Sequence, residues 1–262
     1  MRNKVSLLVL LFLANACLAG SISLQTTVGS VVKDNTLNVS LSIINKGNES
    51  AFNVQAVVRA GDNVLESPYR AELGAEGVYQ AQLKYKLAGT KPGIYPLLVT
   101  INYTDANQYP FSALAAHAFA LKQAAQPVIS GQLQPAKLSR KGEMGLILKN
   151  LSGEKLQVQS YLFTPTELSE KAQKIMSRLD PDAEISAKLP LTNRSALKGS
   201  TYQVYAVTEY EKDGRHQTLV TPGTVEIVEG GAFLPFEPMY LVLALILFIA
   251  LFILAQFIKK NK

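Results

Sequence analysis

The sequence predicts an all-β protein, two tandem β-sandwiches followed by a single C-terminal transmembrane helix. Three observations carry this. Apolar and polar residues alternate with period two through most of the chain from Ile22 to Val228. The same series of strands and turns is written twice, about 105 residues apart. Met239 to Ile258 is an almost unbroken apolar run of about 20 residues, the length of one bilayer crossing.

The first element, residues 1–19, reads as a secretory signal. Arg2 and Lys4 supply the charge, Val5 to Leu13 is apolar but too short to span, and Ala14, Ala16 and Ala19 are small. Cleavage after Ala19 is favoured. A cut after Ala16 would leave Cys17 first and suggest a lipoprotein, but the usual Leu three places before the Cys is missing. At the other end Lys259, Lys260 and Lys262 follow the span, and basic flanks stay cytoplasmic. The expectation is an extracytoplasmic N-terminus, a helix over 239–258 and a tail at 259–262.

The first sandwich is expected over 20–123. Leu37, Val39, Leu41 and Ile43 alternate with polar residues, Asn45-Lys46-Gly47-Asn48 turns, and Phe52, Val54, Ala56 and Val58 resume. Gly93-Ile94-Tyr95-Pro96 then opens a strand through Leu97, Val99, Ile101 and Tyr103. The second sandwich is expected over 124–229. Met144, Leu146 and Leu148 precede the turn Asn150-Leu151-Ser152-Gly153, and Leu156, Val158, Ser160 and Leu162 follow it. Tyr202 and Tyr210 repeat the eight-residue spacing of Tyr95 and Tyr103. Both Tyr95 and Tyr202 are expected to be largely buried, with their hydroxyls bonded to nearby backbone.

One interruption is expected. Thr164-Pro165-Thr166-Glu167 has the residues of a helix start, and Leu168, Ala172, Ile175, Met176 and Leu179 recur at helical spacing. A helix over about 165–179 follows, covering one open end of the sandwich or offering a face to a partner. Residues 230–238, rich in Gly and Pro, form the linker to the membrane.

The hairpin Leu37 to Val58 around Asn45-Lys46-Gly47 resembles the opening of immunoglobulin-like (Ig-like) modules in bacterial and archaeal envelope proteins, the CARDB-type and S-layer-associated domains. Pro92-Gly93-Ile94-Tyr95-Pro96-Leu97, followed by Tyr103-Thr104-Asp105, resembles their closing hairpin. The likeness is clear over the first sandwich and loose over the second. It implies an adhesive or architectural Ig-like scaffold without catalytic residues.

Composition narrows the function. The chain has 26 basic and 20 acidic residues; setting aside Arg2, Lys4 and the three terminal lysines leaves 21 basic, so the exported part is near neutral. The basic pI of 9.2 belongs to the ends and does not argue for nucleic acid. The one cysteine lies in the signal, so no disulfide is expected, and two histidines exclude a His-rich metal site. No phosphate loop, nucleophile elbow or zinc motif occurs. His117 and His216 read as non-catalytic, and Asp105-Ala106-Asn107 and Asp180-Pro181-Asp182 as turns rather than calcium sites. Asn-x-Ser/Thr triplets stand at Asn38, Asn48, Asn102, Asn150 and Asn193. With Lys259 and Lys260 placed like a dilysine signal, they keep open a eukaryotic endoplasmic-reticulum protein carrying glycans.

The sequence therefore points to a single-pass cell-membrane protein that is not an enzyme and binds no cofactor, metal or nucleic acid. Its expected partner is a protein or a cell-surface polymer. The alternative is an accessory subunit of a membrane complex, a transporter or a secretion or glycosylation machinery.

Overall fold

The structure, a computed structural model, describes residues 20–61, 63–87, 91–122, 127–168 and 173–230, with Tyr240, Leu247 and Phe248. The expected signal (1–19), residues 123–126, most of the expected linker at 230–238, the expected span except those three helical, exposed residues, and the expected tail lie outside them. Among the described residues no helix is long and apolar enough to cross a membrane.

The described chain to Ile227 is one compact unit of strands. The first sandwich opposes two sheets. One contains β1 (Leu24–Lys33), β2 (Thr36–Asn45) and β6 (Val78–Lys86) in that order. In the other, β3 (Ala51–Ala60) pairs β4 (Asn63–Glu66), β5 (Arg70–Leu73) and β7 (Gly93–Thr104), and β7 pairs β8 (Pro110–Leu121). This is the A-B-E and C-F-G arrangement of an Ig-like sandwich. Alternation fills its core: Leu37, Val39, Leu41 and Ile43 face Val54, Ala56, Val58, Leu97, Val99 and Ile101.

The second sandwich repeats it. β9 (Ile129–Leu133), β11 (Lys141–Asn150) and β14 (Glu184–Thr192) form one sheet. β13 (Ile175–Leu179), β12 (Leu156–Phe163), β15 (Thr201–Lys212) and β16 (Arg215–Ile227) form the other. The strand pairings of the two halves correspond, with a one-residue shift where β3 bulges between Phe52 and Gln55. Asn45 faces Leu24 and Asn150 faces Ile129. Ala51 faces Leu73 and Leu156 faces Leu179. Ala56 faces Ile101, where the second copy pairs Ser160 with Thr208. The two halves thus pair corresponding strands. The copies differ at β10 (Ala136–Leu138), which leaves its own sheet to pair in parallel with β16, whereas β1 stays on β2 throughout.

The two turn asparagines are the same device twice. Both are fully buried. Each amide donates to the carbonyl four residues on, Glu49 at 2.6 Å and Glu154 at 2.7 Å. Each also reaches the facing strand, Leu73 at 3.1 Å and Leu179 at 3.5 Å. Each side-chain oxygen accepts an N–H two residues on, from Gly47 and Ser152, at 3.0 Å. Asn150 therefore cannot carry a glycan in the folded protein.

Two expectations are corrected. The helix over about 165–179 is not continuous: Pro165 to Leu168 make one turn, with the Leu168 N–H donating to the Pro165 carbonyl at 3.0 Å, and Ile175–Leu179 is a strand on β12. Residues 169–172 lie outside the described residues. Ile175, Ser177 and Leu179 turn inward while Met176 and Arg178 are exposed, and β12 offers an edge that only an extended segment satisfies. Tyr95 and Tyr202 are half-buried rather than largely buried, because each stands at a strand start on the rim of its core. Their hydroxyls do bond backbone: Tyr95 donates to the Lys91 carbonyl at 3.0 Å, and Tyr202 accepts the Leu197 N–H at 3.2 Å. Both are tyrosine corners, a tyrosine early in strand F tied to backbone just upstream.

Candidate functional site

Among the described residues, the contacts between the two sandwiches include two polar clusters. At one, Glu167, almost fully buried in the turn before β13, points its carboxylate at β8 of the first sandwich. It accepts the Ser112 N–H at 2.7 Å and the Ser112 hydroxyl at 2.6 Å, and the Thr166 N–H donates back to the Ser112 Oγ at 2.9 Å. The Glu167 carbonyl accepts the Arg194 and Ser195 N–H groups, and the Tyr109 hydroxyl donates to the Ser195 carbonyl at 3.0 Å. Burial, and then the Glu167 charge, push the Tyr103 phenol up.

At the other, the His216 ring of β16 stacks on Tyr95 of β7, with centroids 4.5 Å apart and planes 12° from parallel. Gly93 and His216 form a one-residue parallel bridge that joins the two larger sheets. Gly93 has φ +155°, and a side chain there would put Cβ 2.2 Å from the His216 carbonyl oxygen. Glycine is required by both conformation and space. The His216 ring nitrogens lie 3.2 Å from Glu211 and 3.2 Å from Glu209, and Thr218 Oγ1 is 3.3 Å from Nε2. The hydrogen bond to Glu209 raises the His216 pKa above its ordinary value; burial opposes the rise and Glu211 adds to it.

A cleft of about 560 Å³ extends from Thr166, beside the first joint, to Pro96 and Glu209, beside the second. One wall is the outer face of β3 and β7: Val57, Arg59, Leu98, Thr100 and Asn102. The other is the outer face of β12 with its flanks: Tyr161, Phe163, Thr164 and Lys174. The alternation that sends Val58 and Leu97 inward sends Arg59 and Leu98 outward, so the fold makes each wall as a by-product of its core. The volume is in the range of small-molecule and polymer-segment sites.

The cleft brings together groups that stack, donate hydrogen bonds and carry charge. Burial, then the charge of Glu209 and a hydrogen bond to it, raise the Tyr161 phenol well above its ordinary value, so it serves as a donor. The Lys174 ammonium stands 5.6 Å from the centroid of the Tyr161 ring, within cation–π range. Phe163 leans on Tyr205, with centroids 6.5 Å apart.

The histidines set aside in the sequence part ways. His117 is exposed on β8, while His216 is built into the joint between sandwiches. Asp105 caps a turn, its carboxylate accepting the Asn107 and Tyr109 N–H groups at 2.9 and 2.8 Å. Asp180 pairs with Lys155 at 2.7 Å, and among the described residues no group of three or more His, Cys, Asp or Glu is placed to hold a metal. Sequence reasoning missed Glu167, Ser112 and the cleft. Pro-Thr-Glu reads as a helix start, and outward residues of a strand read as solvated until a second surface faces them.

No family model and no curated protein matches the chain. Among solved structures it is similar to red sea bream transglutaminase, at 12% identity over 80% of this chain and 31% of that one, with a TM-score of 0.26. The native alpha-2-macroglobulin of E. coli is 11% identical over 79% of this chain and 17% of that one, with a TM-score of 0.30. The periplasmic chaperone SfaE is 13% identical over 77% of this chain and 100% of that one, with a TM-score of 0.31. The chain spans less than a third of the transglutaminase and less than a fifth of the macroglobulin. Likeness at this level carries no functional argument.

Proposed function

We propose that this chain is a non-enzymatic binding and scaffold protein, anchored in a cell membrane through 239–258 with its two Ig-like sandwiches on the extracytoplasmic side. The observation that carries the binding role is the cleft. Each sandwich supplies one wall from its outer sheet face, and a joint stands at either end. Its groups stack, donate and accept hydrogen bonds and carry charge. The resemblance to CARDB-type envelope modules points the same way.

Two measurements test this reading. Leu247→Arg combined with Ile249→Arg places two charges at the middle of the span, at a cost of about 3 kcal/mol each. The double variant is expected to leave the membrane fraction or be degraded; retention after carbonate washing would rule out this anchor. Pull-down of the intact chain from a detergent extract is expected to recover a surface polymer or an exported protein. A stoichiometric integral-membrane partner would instead make the chain an accessory subunit of a membrane complex.

A further inference from the structure

Resting on the reading of the chain as a binding protein, we infer that the inter-sandwich cleft takes a short segment of an acidic polysaccharide, one bearing uronate-type carboxylates. Arg59 and Lys174 face it from opposite sandwiches, both exposed. Among the described residues neither has a carboxylate partner. The cleft's own acid, Glu209, is engaged by His216 and Tyr161. The available charge is therefore positive, on a protein whose exported part is close to neutral.

The rest of the lining separates the ligand classes. Thr100, Asn102 and Thr164 offer hydroxyl and amide groups, and Phe163, Leu98 and Val57 offer apolar surface beside them. A sugar ring presents that combination, with hydroxyls at its edge and C–H groups on its face. An extended acidic peptide that binds by strand addition needs a free sheet edge. This cleft is walled by sheet faces, where β3 already pairs β7 and β12 already pairs β15. A free inorganic anion would use the two cations and leave the rest of the lining without a partner.

Calorimetric titration of the detergent-solubilised full chain distinguishes these cases. The probes are a galacturonate oligomer, a neutral maltose oligomer of equal length, polyglutamate of equal charge and inorganic phosphate. The galacturonate oligomer is expected to bind at least tenfold more tightly than each of the others, and more weakly as salt is raised. Arg59→Gln and Lys174→Gln are each expected to weaken it about fivefold, and Phe163→Ala to weaken it without changing the salt dependence. Arg59 and Lys174 are exposed, so their variants are expected to keep the wild-type melting temperature. Equal binding of polyglutamate or of the neutral oligomer, undiminished binding in the double cation variant, or no binding of the galacturonate oligomer would each overturn the inference. Binding by a chain that the carbonate wash releases would sink the anchor and leave the ligand class standing. Membrane retention without binding would do the reverse.

Discussion

Asn45 and Asn150 show how much a single buried polar side chain carries here. Each closes three gaps that no strand ladder could close, because the chain must turn between sheets there while its carbonyls stay inside. Removing either takes a donor from at least two carbonyls and an acceptor from one N–H, at about 1–3 kcal/mol for each group then left unpaired. Asn45→Ala and Asn150→Ala are each expected to destabilise by about 2–4 kcal/mol in urea titrations, with the m-value unchanged. A loss below about 0.5 kcal/mol at either site would show that the bonds are not what holds the turn. These residues were legible in the sequence as a pair because turn asparagines recur, but their burial was not. His216 carries a pH dependence. Its folded pKa lies above the unfolded 6.5, so the stability it contributes is fully present below about pH 6.5 and is lost as pH rises through the folded value. Thermal melts from pH 5.5 to 8.5 are expected to fall across that window, and His216→Gln to flatten the fall. A rise with pH in the wild type would contradict the sign.

At the scale of elements, the strands were legible because one face of each is buried, and the period of two survives in the sequence. β13 was not legible. Ile175, Met176 and Leu179 fit a helical spacing, while Ile175, Ser177 and Leu179 fit an alternation equally well; the edge of β12 decides between them. The joints were illegible for a different reason. They connect residues 55 and 123 positions apart, Ser112 with Glu167 and Gly93 with His216, and nothing local marks either pair. Their strength is open to test. Gly93→Ala forces Cβ against the His216 backbone, which cannot give way without breaking the bridge. Glu167→Ala leaves the buried Ser112 N–H and hydroxyl without their acceptor. Each variant is expected to be cut faster between the two sandwiches in limited proteolysis, giving two fragments near the size of one sandwich. Digestion as slow as in the wild type would mean that the sandwiches hold together without these contacts.

For the whole molecule, the duplication alone suggests two sandwiches that melt independently, each near 100 residues and each able to form its own core. The joints argue otherwise. A buried carboxylate with two short hydrogen bonds, a ring stack and a shared backbone bridge connect the copies, so unfolding one exposes polar groups of the other. The expected behaviour is one cooperative transition. At roughly 0.7 kcal/mol per residue near 60 °C, about 200 residues unfolding together give an enthalpy of roughly 140 kcal/mol. Calorimetry of the full chain is expected to yield a van't Hoff enthalpy close to that total. Independent sandwiches would give about half of it. The variants then separate the causes. Tyr95→Ala removes a corner of the first sandwich and the stacking partner of His216 together, so it is expected to lower the whole transition. Gly93→Ala combined with Glu167→Ala leaves both cores intact and is expected to split it in two. A wild-type van't Hoff enthalpy near half the calorimetric value would show that the copies are folded side by side without sharing stability, and the cleft between them would then have walls free to part.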